Sequence, residues 1–458
     1  MDTIAAIATP LARSAFGIIR LSGPDALRIL DKLFHPVNGR PVSEARARSM
    51  VYGSVCDSQG RVIDHPLAVW FAAGKSYTGD VDAEIHCHGS PVVLNEVLAA
   101  AFAAGARQAK PGEFAKRAFL NGKLDLTEAE AIVDLVDAET AEAARNAALQ
   151  VDGALRRIAE DAYNALLDIT SRFYAVVDYP DEDVEDASPA ETERTLAGIE
   201  AQLSGLLDTF ARGRIVKSGV ATAIIGAPNA GKSSLLNRLV GYERAIVTDV
   251  AGTTRDTVEE KAVVGGVLLR LVDTAGLRET DDAVEKLGVE RSRKAVERSE
   301  LILALCDGSR AATEEDARTL ALAGESGKPW LLLRTKCDLP AARAALPLAQ
   351  CPRQPECELS VSSVNGDGLD ELEKAVAALF PAQPAQSGTL LTNARQADAA
   401  ARALDAVRAA GQALRDGVTP DAVLTEVESA ANALGELTGR TAREDMIERI
   451  FERFCVGK

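Results

Sequence analysis

Gly226-Ala227-Pro228-Asn229-Ala230-Gly231-Lys232-Ser233 decides the fold. The stretch has the form G-x-x-x-x-G-K-[ST], follows the apolar run 221–225 and opens a helically spaced segment at 233–239. That order predicts a strand, a phosphate-cradling loop and a helix. The glycines let backbone N–H groups of Asn229, Ala230 and Gly231 turn inward around phosphate oxygens, and the helix N-terminus at Ser233 and Ser234 adds a favourable dipole. Lys232 brings a point charge to the β- and γ-phosphates, and the Ser233 hydroxyl is a ligand for Mg2+.

Three further pieces lie downstream. Asp273-Thr274-Ala275-Gly276 ends the apolar run 268–272, which sets a carboxylate at a strand's C-terminal edge and a glycine N–H near a γ-phosphate. Gly252-Thr253-Thr254-Arg255-Asp256 occupies the intervening loop, where Thr254 completes a Mg2+ shell. Thr335-Lys336-Cys337-Asp338 follows the run 330–334, and Asp338 there can accept from the guanine N1–H and exocyclic amine, a donor pair that adenine lacks. Ser362, before Gly366, is a candidate last base contact.

Short apolar runs at 221–225, 267–272, 301–306 and 330–334, each followed by a helically spaced segment, predict a parallel sheet covered by helices over 218–382. Together these pieces resemble the guanine-nucleotide-binding domain of translation-factor-like GTPases. The base-reading motif there is usually N-K-x-D, and here Thr335 replaces the asparagine. Leu277 follows the Asp-x-x-Gly turn where many GTPases carry a water-orienting glutamine, so another residue must orient the nucleophile.

The flanking segments have different textures. Residues 1–118 mix strand-like runs (16–23, 62–71, 82–87) with helical spacing at 24–33 and 92–104, an α+β pattern. Residues 119–217 and 383–458 are Ala-rich and periodic, with a capping-box start expected at Thr127 and Glu130, a helix at 190–213 and a final helix at 441–454. The expected architecture is multidomain α/β: an N-terminal α+β domain, a discontinuous all-α domain, and an inserted phosphate-loop domain joined to the second helical part near the linker 381–388.

Composition bounds the function. A chain of 458 residues is too long for one core, and 47% hydrophobic with 26% charged residues and a mean hydropathy of −0.01 describes an ordered globular protein. No apolar run approaches the roughly 20 residues of a membrane span, and the start shows no basic segment before an apolar one, so a cytoplasmic protein without a membrane partner is expected. The seven cysteines include no C-x-x-C pair, which suggests neither a disulfide framework nor a zinc ribbon. In His86-Cys87-His88 strand alternation sets the two histidines on one face and the cysteine on the other, with no third ligand in view. The net charge of −17 means that any contact with nucleic acid is local or made through a partner.

Over nearly its full length the chain resembles the MnmE (TrmE) family of tRNA modification GTPases. The resemblance runs through Gly17-Ile18-Ile19-Arg20-Leu21-Ser22-Gly23, Pro111-Gly112-Glu113-Phe114, Asn121-Gly122-Lys123-Leu124-Asp125-Leu126, the phosphate loop, 273–278 and the terminal Phe454-Cys455-Val456-Gly457-Lys458. It implies nucleotide contacts through Thr248, Asp249, Val250, Ala251, Gly252, Thr253 and Thr254, and a K+ ion held by Asn229, Thr248, Val250 and Thr253 that helps two such domains dimerise. The water-orienting carboxylate falls on Glu285. A tetrahydrofolate derivative would be bound by Arg20, Glu84, Lys123 and Lys458, with Cys455 functionally important.

The resemblance further implies a homodimer formed through the N-terminal domains, a FAD-dependent partner, MnmG, and GTP hydrolysis to GDP coupled to an aminomethyl or carboxymethylaminomethyl group at carbon five of the tRNA wobble uridine. Two other classes stay open on the residues alone. One is a GTP-dependent switch in RNA or ribosome assembly, and the other a folate-dependent methyltransferase with an accessory nucleotide domain.

Overall fold

The computed structural model describes residues 2–178, 188–242, 260–272, 285–340, 346, 348, 351–381, 390–452 and 454–457, the side chains at 175–178, 242 and 285–289 aside. The chain forms two compact units: Met1–Asp137 with Ala147–Leu207 and Ala394–Lys458, and Ala138–Asn146 with Asp208–Asn393. The linker expected at 381–388 lies, after Pro381, outside the described residues.

The first unit starts with an α+β region. Its elements are β1 (Ile4–Ile7), β2 (Phe16–Ser22), α1 (Ala26–Leu33), β3 (Phe34–Pro36), β4 (Val51–Cys56), β5 (Val62–Asp64), β6 (Leu67–Phe71), β7 (Asp82–His88), α2 (Pro91–Ala103), β8 (Arg107–Gln108) and α3 (Glu113–Leu120). The sheet runs β3-β4-β6-β7-β2-β1-β8 with β5 on β4. Alternation sorts its residues. Ile19, Leu21, Ile85 and Ala83 join the core under α1 and α2 with Leu30, Leu94 and Val97. Across the antiparallel β2–β7 ladder Arg20 stands opposite Glu84, so strand register brings that pair to one face.

Helices follow: α4 (Leu126–Val136), α5 (Ala141–Val151), α6 (Ala154–Asp178) and α7 (Pro189–Asp208). The start of α4 corrects one expectation. Asp125, not Thr127, is the cap: its Oδ1 accepts from the Glu128 N–H at 2.7 Å, and Glu128 Oε2 accepts from the Asp125 N–H at 2.8 Å. The Thr127 hydroxyl is itself engaged by Asp125 Oδ1, so the box starts two residues earlier. The helix expected at 190–213 is two, α7 and α8 (Phe210–Ser218), separated at Thr209.

In the second unit, β9 (Val220–Gly226), α9 (Lys232–Tyr242), β10 (Glu260–Val264), β11 (Val267–Leu271), α10 (Glu285–Arg298), β12 (Leu301–Asp307), α11 (Glu314–Glu325), β13 (Trp330–Thr335), β14 (Cys357–Val361) and α12 (Leu369–Leu379) form an α/β layer structure. The sheet order is β10-β11-β9-β12-β13-β14. Every neighbouring pair is parallel except β10–β11, an antiparallel hairpin closed at Gly265 and Gly266. The apolar runs mark the interior strands. The edge strands lack such a run: β14 alternates polar and apolar residues, and β10 opens on the charged Glu260 and Lys261. The phosphate loop leaves β9 between β11 and β12, at the point where strand order reverses, which is where open α/β sheets bind ligands.

The first unit closes with α13 (Ala394–Arg415), α14 (Pro420–Thr438) and α15 (Glu444–Phe451). Residues of α6, α7, α13 and α14 share one core, including Leu166, Leu203, Leu404 and Leu434. The last helix is shorter than its apolar spacing suggests. Phe451 and Phe454, 2% and 5% exposed, pack on Ala115 of α3 and on Leu126 and Ala129 of α4. Burying a phenylalanine contributes about 2–3 kcal/mol, so two of them fix the C-terminal segment to that surface.

Candidate functional site

In the second unit the phosphate loop turns on two left-handed residues, Asn229 at φ +61° and Gly231 at φ +91°. Asparagine is among the few side chains that tolerate that region, and glycine does so freely. Lys232, at the start of α9, folds its ammonium back onto the loop and donates to the carbonyls of Gly226 at 2.9 Å and Ala227 at 2.8 Å. Burial pushes its pKa below the usual lysine value, with the Glu315 charge opposing. A cation held by weak carbonyl partners in a partly dehydrated loop is positioned to exchange them for phosphate oxygens.

The segment expected to read guanine is built onto the same loop. Thr335 is 2% exposed, and its hydroxyl donates to the Ala230 carbonyl at 2.7 Å, with Cys306 O second at 3.3 Å. Thr335 therefore joins β13 to the phosphate loop. Lys336 takes φ +60° and sends its ammonium to Asp307 Oδ2 at 2.7 Å. Burial works to raise the Asp307 carboxyl, but hydrogen bonds from Lys336 and Ser309 override it and hold the group below the usual carboxylate range. The buried Ser362 donates to Asp338 Oδ1 at 2.7 Å, so Ser362 orients the carboxylate that the sequence assigns to guanine.

The structure brings together Asn229, Ala230, Gly231, Lys232, Thr335 and, through Asp307, Lys336, with Asp338 and Ser362 as a second pair. Ser233 and Ser234 follow Lys232 in the first turn of α9. Thr248, Asp249, Val250, Ala251, Gly252, Thr253, Thr254, Asp273, Thr274, Ala275 and Gly276 lie outside the described residues, as does the side chain of Glu285, the first residue of α10.

A second cluster lies in the first unit. Arg20 pairs with Glu84, Nε to Oε1 at 3.1 Å and Nη2 to Oε1 at 3.0 Å, and the other carboxylate oxygen meets His86 Nε2 at 3.1 Å. Burial works to raise the Glu84 carboxyl; His86 and Arg20 overcome this and bring it below its usual value. The Arg20 guanidinium lies 5.4 Å from the Tyr77 ring centroid and 5.8 Å from that of Phe114. An ion pair edged by two aromatic rings suits a flat heterocycle with a polar edge.

The chain's end reaches this cluster. Arg20 Nη1 donates to the Gly457 carbonyl at 3.4 Å, and the Gly112 N–H to the Cys455 carbonyl at 3.4 Å. Two glycines permit the approach. Gly112 sits at φ +65°, where a Cβ would fall 2.2 Å from the Phe451 carbonyl oxygen, and Gly457 sits at φ +101°, where one would fall 2.4 Å from that of Ile7. Cys455 is exposed. Lys458 lies outside the described residues. Lys123 does not bond to the Arg20–Glu84 pair: its ammonium clasps the Gly74 carbonyl, on the loop that carries Tyr77.

Tyr77 and Phe114 have no signal in sequence spacing as members of this cluster, whereas strand alternation sets His86 on the face of Glu84. The pairing of β2 with β7 brings Arg20 to Glu84 and His86, and the β6–β7 loop and α3 add the two rings. His86 and His88 take separate carboxylates, Glu84 and Asp64, and among the described residues no group of three or more His, Cys, Asp or Glu side chains could hold a metal ion. Among them, too, no helix is long and apolar enough to cross a membrane.

Residues 3–123 match the family described as the GTP-binding protein TrmE N-terminus, and residues 126–455 the MnmE helical domain. The tRNA modification GTPase MnmE of Roseiflexus sp. (strain RS-1) is 44% identical, covering 100% of this chain and 99% of that protein. Its counterpart in Streptococcus gordonii is 39% identical over the same shares. A solved structure of Aquifex aeolicus Era bound to GDP.AlF4- is 27% identical over 40% of this chain and 65% of that one, with a TM-score of 0.27. With full-length identities of this size and a matched helical region covering most of the sequence, the chain belongs to the MnmE (TrmE) family of tRNA modification GTPases.

Proposed function

We propose that this GTP hydrolase couples turnover in its α/β unit to modification of the tRNA wobble uridine at carbon five, with the one-carbon step served by the Arg20–Glu84 cluster. The observation that carries the reading is the Arg20–Gly457 contact, which draws the Cys455-bearing terminus onto an ion pair flanked by aromatic rings. The chain divides in this reading into an N-terminal domain at 1–118, a helical domain at 119–217 and 383–458, and a GTP-binding domain at 218–382. It acts in the cytoplasm as a homodimer with a FAD-dependent MnmG partner and tRNA.

The residues present fit GTP and Mg2+. The left-handed Asn229 and Gly231 open the cradle, Lys232 supplies the phosphate cation, and Ser233, with Thr254, supplies hydroxyl ligands. Asn229, with Thr248, Val250 and Thr253, would hold K+. When bound at these residues, the cations would supply charge neutralisation for the transferring phosphoryl group. Asp338, oriented by Ser362, selects guanine, and Thr335 keeps the base loop and the phosphate loop in one geometry. Glu285 holds the attacking water, which Leu277 cannot do.

The Arg20–Glu84 cluster likewise fits a tetrahydrofolate derivative, which supplies the one-carbon unit. Glu84 would accept from the N–H edge of the pterin, Tyr77 and Phe114 would bound it, and Lys123 with Lys458 would meet the glutamate tail. Cys455 serves as the thiol of this site.

Two measurements test the reading. Nucleoside analysis of tRNA from a strain lacking the chain is expected to show loss of the carbon-five modification, restored by the intact sequence; unchanged modification would favour an assembly switch. GTP hydrolysis is expected to run well above its Na+ rate in K+ at equal ionic strength. Equal rates would remove the K+ site.

A further inference from the structure

The loop between β6 and β7 is rigid and inward-looking on one side. Gly74 N–H donates to Gly79 O at 2.8 Å, Ser76 Oγ to Asp80 O at 2.5 Å, and Asn121 Nδ2 to Thr78 O at 2.8 Å. The carboxylates of Asp80, on the loop, and Asp82, the first residue of β7, face the protein. Asp82, 2% exposed, accepts from the Thr78 hydroxyl at 2.6 Å, and Asp80 accepts from Asn121 with Arg117 beside it. Tyr77, on the same loop, lies against Arg20.

The outer side of the loop carries only positive charge. Arg48 Nη2 donates to the Lys75 carbonyl at 2.5 Å, and the Lys123 ammonium to the adjacent Gly74 carbonyl. Two cationic head groups are thus held at consecutive carbonyls, beside the side chain of Lys75 and near Arg46, whose carbonyl accepts from the Ser49 N–H in the turn that bears Arg48. Arg48 itself is held at φ +66°, a left-handed conformation that an arginine seldom adopts. Arg46, Arg48, Lys75 and Lys123 are all exposed, and among the described residues no carboxylate lies within ion-pair distance of any of them. In a chain of net charge −17 such a cluster calls for an anion.

We propose that Arg46, Arg48 and Lys75 extend the folate site into a subsite for a poly-γ-glutamyl tail, with one carboxylate per added glutamyl unit. This rests on the tetrahydrofolate reading of the Arg20–Glu84 cluster. Tyr77 is three positions from Gly74, a span of at most about 10 Å, so a ligand seated against Tyr77 and Arg20 reaches the cations with its tail. The scale favours an oligocarboxylate over RNA. Nucleic-acid binding typically neutralises about 6–10 phosphates along a groove, whereas four cations around one short loop match a few carboxylates. Exposed pairs contribute little singly and add up along a tail.

The test measures calorimetric affinity of the full chain for monoglutamyl and pentaglutamyl 5-formyltetrahydrofolate. The intact chain is expected to bind the pentaglutamyl form about 10-fold tighter at low salt. The Arg46→Gln/Lys75→Gln variant, which leaves the Arg48 clasp in place, should lose most of that preference with monoglutamyl affinity unchanged, and adding Arg48→Gln should abolish the rest. Equal affinity of the intact chain for both forms would overturn the tail subsite alone. Failure of both forms to bind would remove the folate reading beneath it. A variant that keeps the tail preference but binds tRNA with a shallower salt dependence would overturn the proposal in favour of an RNA contact.

Discussion

The two candidate sites differ in how far apart their parts lie along the chain. The phosphate loop is local: Asn229, Gly231 and Lys232 sit within four residues, and the backbone between β9 and α9 shapes the cradle. The Arg20 cluster is assembled by topology. Arg20 meets Glu84 through strand register and Gly457 across 437 positions, with Gly112 and Gly457 making room. The contrast teaches that a site made of backbone shape is written as a motif, whereas a site made of paired strands and a docked terminus is written only in the fold.

That contrast can be broken from either side. The largest effect is expected for Lys232→Ala, which removes the phosphate cation and should lower single-turnover GTP hydrolysis by about 10^3-fold. A loss below tenfold would mean that the carbonyl-bound position seen here is where Lys232 stays. Glu285→Ala is expected to slow turnover about 10^2-fold with GTP affinity little changed, the signature of a misplaced nucleophile. Weak GTP binding in that variant would make Glu285 a structural residue.

Thr335→Val sharpens the link between the two nucleotide loops. The substitution keeps the shape and leaves the Ala230 and Cys306 carbonyls without their donor, so GDP should bind about tenfold more weakly, with Thr335→Ser restoring affinity. If valine bound GDP normally, the tie between base loop and phosphate loop would carry no energy.

The smallest effect concerns the cap of α4. Burial pushes the Asp125 carboxyl up to about 6, with the neighbouring Glu128 adding to the rise against opposing hydrogen bonds. A carboxyl raised in the folded state contributes stability that is fully present below its unfolded pKa and lost as pH rises through the folded one. The intact chain should therefore lose about 1–3 kcal/mol from this group between pH 4 and 7. Asp125→Asn, which still caps, should flatten that part of the difference in urea denaturation curves. An unchanged pH slope would place the Asp125 carboxyl in an ordinary environment.

Legibility in the sequence followed the same division. The interior strands β9, β11, β12 and β13 read as apolar runs because both faces are buried, and the loop between β9 and α9 read from its glycines. The edge strands β10 and β14 did not, since half their residues face solvent. The cap of α4 was misread by two positions because Thr127 and Glu130 offer the same spacing as Asp125 and Glu128, and only the bonds distinguish them. Arg20 and Glu84 were reached through family resemblance. Strand alternation sets His86 beside Glu84, but Tyr77 and Phe114 come from a loop and a helix, and nothing local to them encodes the shared site.

The most direct test of the account removes residues 454–458 from the otherwise intact chain. Phe454 buries itself against α3 and α4, and Gly457 meets Arg20, so the deletion takes away the terminal arm of the Arg20 cluster while every described residue of the phosphate loop remains. The expected result is abolished tRNA modification and weakened binding of 5-formyltetrahydrofolate with GTP hydrolysis near normal. Truncated protein that still modifies tRNA would contradict the role assigned to Cys455 and to the docked terminus.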